Sequence, residues 1–142
     1  MTPMTVKTRT LSLSTRGNAD IHEITGPVQR CIVEAGLKDG IVTIFCPSST
    51  SAVSTIEYEP GCVRDLKRLF EEIIPENRPY AHDEAWGDGN GHCHVRAALL
   101  KASLSVPFVS GRLTLGTWQQ IVYVDFDTRP RRRELVLSVM GE

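Results

Sequence analysis

The stretch TVKTRTLSLST (5–15) alternates polar and apolar side chains along its length. Successive side chains of a strand point to opposite faces, whereas a helix would spread this pattern around its circumference. The stretch therefore reads as a half-buried strand. The remainder switches between this period and a helical one, with no internal repeat or low-complexity tract. Thr25-Gly26-Pro27 reads as a helix start, a hydroxyl cap followed by proline in the first turn. Val28, Cys31, Ile32 and Ala35 then recur at helical spacing up to Gly36. GIVTIFC (40–46) reads as a buried strand, and SAVSTIEYE (51–59) as a second. After Pro60-Gly61, the residues Val63, Leu66, Leu69, Phe70, Ile73 and Ile74 share one helical face, and Pro75 ends that helix. Residues 76–93 read as a loop, followed by a short helix near 95–102. LSVPFV, RLTLG, WQQIVYVDFD and RRELVLSVM then read as strands. Helices placed between hairpins, and not after every strand, define an α+β protein.

The 142 residues have a single-domain length (1–142), enough to bury roughly 68% of the unfolded surface. A net charge of -1 gives no bulk attraction for nucleic acid or for an anionic membrane. No apolar run approaches the ~20 residues that cross a bilayer. The first residues lack the apolar core of a secretory leader, so a cytoplasmic location is expected. Cys31, Cys46, Cys62 and Cys93 form no CxxC pair and are expected as reduced, mostly buried thiols.

Chemistry concentrates in HDEAWGDGNGHCHVRAALL (82–100), which holds three of the four histidines. In an extended segment His92 and His94 would point the same way, and Gly89 and Gly91 argue against a helix there. With His82 closing a loop onto them, three neutral imidazoles suit a divalent transition metal such as zinc, nickel, cobalt or copper. Asp83 and Asp88 are available to orient an imidazole. The competing reading is a polar loop in which the histidines only hydrogen-bond or face solvent. The turn PSSTS (47–51) offers Ser48, Ser49, Thr50 and Ser51 as an anion cradle, although such residues are also ordinary turn formers. Period-2 alternation after Ile56 turns Glu57 inward. Trp118 reads as a core residue, with Gln119 facing the other way toward a ligand or a metal-bound water. Arg96 lies close to His94. The run RPRRR (129–133) reads as a solvated strand edge, or else as a patch that attracts a phosphorylated substrate or pairs with acidic groups across a subunit boundary.

GRLTLGTWQQI (111–121), the upstream SLSVPFV, the downstream FDTRPRRR and the block FCPSSTSAVSTIEYEPG (45–61) occur in an order that resembles the YjbQ-like family. That is an uncharacterised family described as secondary thiamine-phosphate synthases. The resemblance spans nearly the whole chain. It implies a two-sheet α+β sandwich with helices between hairpins, assembled as a homotrimer about a threefold axis. The apolar faces of IVYVDF and LVLSVM would supply the trimer surface. It also implies an enzyme joining a pyrimidine methyl diphosphate to a thiazole phosphate with release of pyrophosphate. A metal, the 47–51 turn and an arginine would then stabilise the leaving group. In this sequence Glu57, Gln119 and Arg96 are the candidate catalytic groups, and His82, His94 and the additional His92, replacing a missing family ligand, are the candidate metal ligands. Diphosphate departure usually employs magnesium, which prefers oxygen donors, so this activity is read as weak or secondary. The alternative is a trimeric metal- or anion-binding protein without catalysis. One departure stands out. Where the commoner family form has a His-Thr-Ser/Thr-Ala word, this chain has Ser49-Thr50-Ser51-Ala52. His82 and His94 match the family pattern.

Overall fold

The computed structural model describes residues 2–142. In chain order the elements are β1 (Thr5–Thr15), β2 (Asp20–Glu23), α1 (Thr25–Ala35), β3 (Gly40–Phe45), β4 (Ser51–Ile56), α2 (Pro60–Ile73), α3 (Ala81–Trp86), α4 (Gly91–Leu100), β5 (Ser103–Val109), β6 (Arg112–Leu113), β7 (Gln120–Asp125) and β8 (Arg131–Gly141). The strands form two antiparallel sheets, one in the order β1-β8-β3-β5-β6 and one in the order β2-β7-β4. The expected α+β class with two sheets is the observed architecture.

Two apolar layers hold the sheets together. The inner face of the large sheet packs Val42, Ile44, Leu135 and Val139 against Val28 and Ile32 of α1 and against Val53, Ile121 and Tyr123 of the small sheet. The other face of the small sheet places Ala52, Val122 and Val124 under Phe70 of α2 and Cys93 and Ala97 of α4. Phe70 meets Phe126 edge-on at 4.8 Å between ring centres. β7 is thus covered on both faces, which explains its unbroken apolar run. The IVYVDF segment is spent inside the chain and cannot form a subunit contact.

Some local signals resolve differently from their sequence reading. The Thr25 hydroxyl does not cap α1; it accepts the Ile121 N–H at 2.8 Å, while the Glu23 carboxylate accepts the Thr25 N–H. On α2, Phe70 and Ile74 are buried, but Leu69 and Ile73 remain 45% and 47% exposed. The expected loop at 76–93 contains α3 and the start of α4. β2 has no counterpart in the sequence reading, because its four residues are too few to display a period.

The sheets are also clamped by charge. Arg133 of β8 grips the fully buried Asp125 of β7 with two parallel hydrogen bonds, Nε to Oδ2 at 2.7 Å and Nη2 to Oδ1 at 2.9 Å. Its Nη2 also reaches Asp127 Oδ2 at 3.3 Å, and Arg131 Nε donates to the same oxygen at 2.9 Å. The Thr15 hydroxyl completes the shell of Asp125 at 2.5 Å. Burial works to raise the Asp127 carboxyl, but the Thr128 N–H and the Arg131 guanidinium together hold it below its ordinary range. The hydrogen bonds from Arg133 to Asp125 raise the arginine above its usual value in spite of burial. The basic run is therefore not simply a solvated edge, since Arg131 and Arg133 pair within the chain. Gly17 admits this arrangement: its φ is +86°, and a Cβ there would lie 2.5 Å from the Asp127 carbonyl oxygen.

Removing the Arg133 guanidinium would leave the fully buried Asp125 carboxylate without its charged partner, while Asp127 keeps Arg131. Arg133→Met is expected to destabilise the fold by about 3–5 kcal/mol, measured as a shift of the urea midpoint at an unchanged slope.

Candidate functional site

The histidine-rich segment is built by two short helices meeting at a glycine. α4 begins at Gly91, where a Cβ would lie 2.6 Å from the Tyr80 side chain, so only glycine lets the helix start this close to the preceding loop. The Asp83 carboxylate of α3 accepts the Gly91 N–H at 2.9 Å and ties the two helices together. Gly91 therefore opens a helix here, and the extended geometry expected for 92–94 is not formed.

That change re-sorts the histidines. Two residues along a helix turn the side chain by about 200°, so His92 and His94 diverge. His92 is buried, with its ring 6.2 Å from that of Tyr80 and its Nε2 3.5 Å from Cys93 Sγ. Burial lowers its pKa, and the nearby Arg96 charge adds to the effect. It is a core histidine held neutral. His94 instead meets His82 of α3, with ring centres 4.6 Å apart. His94 Nδ1 lies 3.0 Å from the Ser49 carbonyl oxygen. A carbonyl only accepts, so Nδ1 carries the proton, and in the neutral ring Nε2 keeps its lone pair. His82 Nδ1 is buried without a hydrogen-bond partner, and its nearest carboxylate oxygen, Asp83 Oδ1, is 3.8 Å away. The structure thus pairs His82 with His94 and separates His92 from both. Among the described residues, no group of three or more His, Cys, Asp or Glu side chains could hold a metal ion.

The Ser49 carbonyl belongs to the hydroxyl turn, whose members differ in role. The Ser48 hydroxyl accepts the Thr50 N–H and Arg133 Nη1, both at 3.1 Å. The Thr50 hydroxyl donates to Asp127 and accepts from Arg133 Nη2 at 2.8 Å. These two anchor the turn to the ionic clamp. Ser49 is exposed, and Ser51 is buried with its Oγ unpaired. Ser48, Ser49 and Ser51 line a cavity of about 330 Å³ together with His94 and Lys101.

Lys101 is the member that the sequence did not reveal. It ends α4 at φ 88° and ψ 154°, a backbone region almost reserved for glycine. Two backbone bonds hold it there, its N–H to the Ala97 carbonyl at 2.9 Å and its carbonyl to the Val53 N–H at 3.1 Å. A lysine kept in such a conformation on the wall of a cavity is a strained residue at a candidate site, and no sequence pattern marks it.

The three expected catalytic groups lie elsewhere. Glu57 falls just beyond β4 and is exposed; its alternation with Ile56 has no consequence once the strand has ended. Its neighbour Glu59 caps α2, accepting the Gly61 and Cys62 N–H groups at 2.8 Å, which hold its carboxyl below the ordinary range. Arg96 is only 3% exposed and is committed to the Ile74 carbonyl at 2.8 and 2.9 Å and to Glu71 at 2.6 Å, so it fastens α4 to the end of α2. Gln119 closes its own turn, accepting from Gly116 N and donating to the Thr55 hydroxyl, both at 3.1 Å. Trp118, expected in the core, is 71% exposed.

The sequence and the fold have counterparts among known proteins. The family model of UPF0047 protein YjbQ-like matches residues 9–142. The chain is 36% identical over 130 residues to a UPF0047 protein of Archaeoglobus fulgidus, covering 92% of this chain and 98% of that one. It is 34% identical over 139 residues to a UPF0047 protein of Methanothermobacter thermautotrophicus, covering 98% and 95%. Among solved structures, a YbjQ-like protein of unknown function from Sulfolobus solfataricus superposes with a TM-score of 0.94 at 31% identity, covering 99% of this chain and 100% of its own. A conserved hypothetical protein from Thermus thermophilus gives a TM-score of 0.74 at 30% identity, covering 89% and 97%. The chain is a member of the YjbQ-like UPF0047 family.

Relief of the backbone strain provides a direct test of Lys101. Lys101→Gly is expected to raise stability by about 1–3 kcal/mol, read from denaturant unfolding. An unchanged or lowered stability would show that the lysine backbone is not strained.

Proposed function

We propose that the cavity between the 48–51 turn and α4 binds the phosphate of a small phosphorylated molecule. Lys101 supplies the positive charge, and Ser51 an unpaired buried hydroxyl. The observation that carries this reading is the bond from His94 Nδ1 to the Ser49 carbonyl, which docks the histidine helix onto the hydroxyl turn and leaves Nε2 free.

His82 and His94 are the residues that would hold a divalent metal, zinc being one ion that imidazole suits. The orphaned Nδ1 of His82 favours this, because a buried ring nitrogen seldom lacks a partner. Such an ion would supply positive charge against a phosphate oxygen. Two imidazoles are fewer than the three protein ligands usual for catalytic zinc, so substrate, water or a second subunit would complete the site. His92 is not one of the donors.

The reaction class suggested by the family resemblance is the joining of a pyrimidine methyl diphosphate to a thiazole phosphate with release of pyrophosphate. The donor chemistry favours it as a secondary activity, since magnesium, the usual ion for diphosphate departure, prefers oxygen ligands. Binding without turnover is the second reading. It is favoured by the lining of the cavity, which includes no carboxylate among the described residues.

Calorimetric titration with inorganic phosphate and metal analysis of untagged protein test the site. Ser49→Asp is expected to abolish phosphate binding by like-charge repulsion with little change in Tm. His94→Ala is expected to remove most of the bound metal, while His22→Ala, at a separate position on β2, retains it. Unaltered phosphate affinity in a folded Ser49→Asp protein would refute the anion reading. Equal metal content in wild type and His94→Ala would refute the metal reading. Rescue of a thiamine auxotroph that depends on His94 would favour the enzyme over the binding protein.

The assembly proposed for this site is a homotrimer. Its support is the outer face of the large sheet, where opposed residues share one side. Val6–Met140–Ile41–Pro107, Thr8–Ser138–Thr43–Ser105 and Thr10–Val136–Phe45–Ser103 form three rows without a charged residue. Val6, Met140, Ile41 and Phe45 are each more than 40% exposed in the single chain. Light scattering at micromolar concentration is expected to give a trimer mass, and Ile41→Lys a smaller one. A monomer mass for the wild type would remove the proposal.

A further inference from the structure

The second cavity of interest arises from a mismatch in strand length. β3 pairs with β8 only as far as Phe45↔Val136, whereas β1 follows β8 down to Thr15↔Arg131. Where β3 departs through Cys46, Pro47 and Ser48, the gap beside β8 is a cleft of about 390 Å³. The buried Tyr123 of the small sheet forms its floor, Cys46, Ser48 and Arg133 form its walls, and the exposed Arg132 and Glu134 form its rim. It shares only Ser48 with the His94 cavity and does not depend on the function proposed for that site.

Uncommitted donors gather here. The Tyr123 hydroxyl is buried with the Ser51 Oγ as its polar neighbour, and among the described residues neither atom has a hydrogen-bond partner of good geometry. Burial pushes the phenol up to about 12, so it is a donor at neutral pH. A guanidinium has five N–H groups. In Arg133, Nε serves Asp125, Nη2 serves Thr50 and the two aspartates, and Nη1 serves only Ser48. Among the described residues, one Nη1–H is therefore free. Native interiors rarely leave a buried hydroxyl such as that of Tyr123 poorly paired.

Charge then selects among ligands. Arg131 and Arg133 are balanced by Asp125 and Asp127, and Arg132 by Glu134, so the cleft has no excess positive charge to hold a dianion. A monoanion with two coplanar oxygens can accept from an N–H and an O–H together. We propose that this cleft binds a small carboxylate, with the Arg133 Nη1–H and the Tyr123 hydroxyl as its donors.

The test is a titration of isotope-labelled protein with sodium acetate at constant ionic strength, with sodium chloride and inorganic phosphate as parallel arms, read by NMR. Saturable shifts confined to the Arg133 side chain and residues 46–48 are expected with acetate and not with chloride. Tyr123→Phe, which removes an unpaired hydroxyl and is expected to fold at least as well, should weaken acetate by about tenfold. Ser49→Asp should leave acetate binding intact, which separates this site from the phosphate cavity. Three outcomes would overturn the proposal: non-saturable shifts, an unchanged affinity in Tyr123→Phe, or phosphate saturating this cleft more tightly than acetate.

Discussion

The Arg133–Asp125 pair is the constraint on which the rest is arranged. It joins the large sheet to the small one through two short hydrogen bonds in a nearly dry setting. Apolar packing between the sheets is non-directional, and it would tolerate one sheet sliding over the other. A bidentate ion pair does not tolerate such sliding, because both bonds lengthen together. The same guanidinium continues outward to Ser48 and Thr50. The turn that lines the candidate site is therefore held at a set height above the sheets. Sheet register, turn position and cavity wall descend from one side chain, at the cost of desolvating several charges.

The site lies between parts of very different rigidity. On one side is the 48–51 turn, tied to buried carboxylates. On the other is α4, fastened at its first turn by Asp83 and farther along by Arg96. α3, which carries His82, buries none of its residues and is attached chiefly through its contact with α4. His94 therefore belongs to the fixed framework and His82 to an element that shifts at low cost.

Much of the fold was legible because its signals were periodic. The alternation in 5–15, the helical spacing of Val28, Cys31, Ile32 and Ala35, and the apolar run of β7 each reflect faces that meet a core. The site was less legible, for three physical reasons. Gly91 was read as a helix breaker, yet it starts a helix because Tyr80 occupies the place of a side chain. That single reversal moved His92 into the core and left His94 with His82. Arg96 lies close to His94 in sequence, but helical geometry turns it toward Ile74 and Glu71. Lys101 gave no sign at all, since a residue's backbone angles are not written in its type. The Ser48–Ser51 turn was found because hydroxyls between two strands are visible in a sequence, although two of the four proved to be structural anchors.

The contact between His94 and residue 49 is made to a carbonyl oxygen and not to a side chain. Every amino acid at position 49 presents the same acceptor. The aim of His94 is thus insulated from a change of side chain at that position. What changes is only the chemistry that residue 49 itself brings to the cavity.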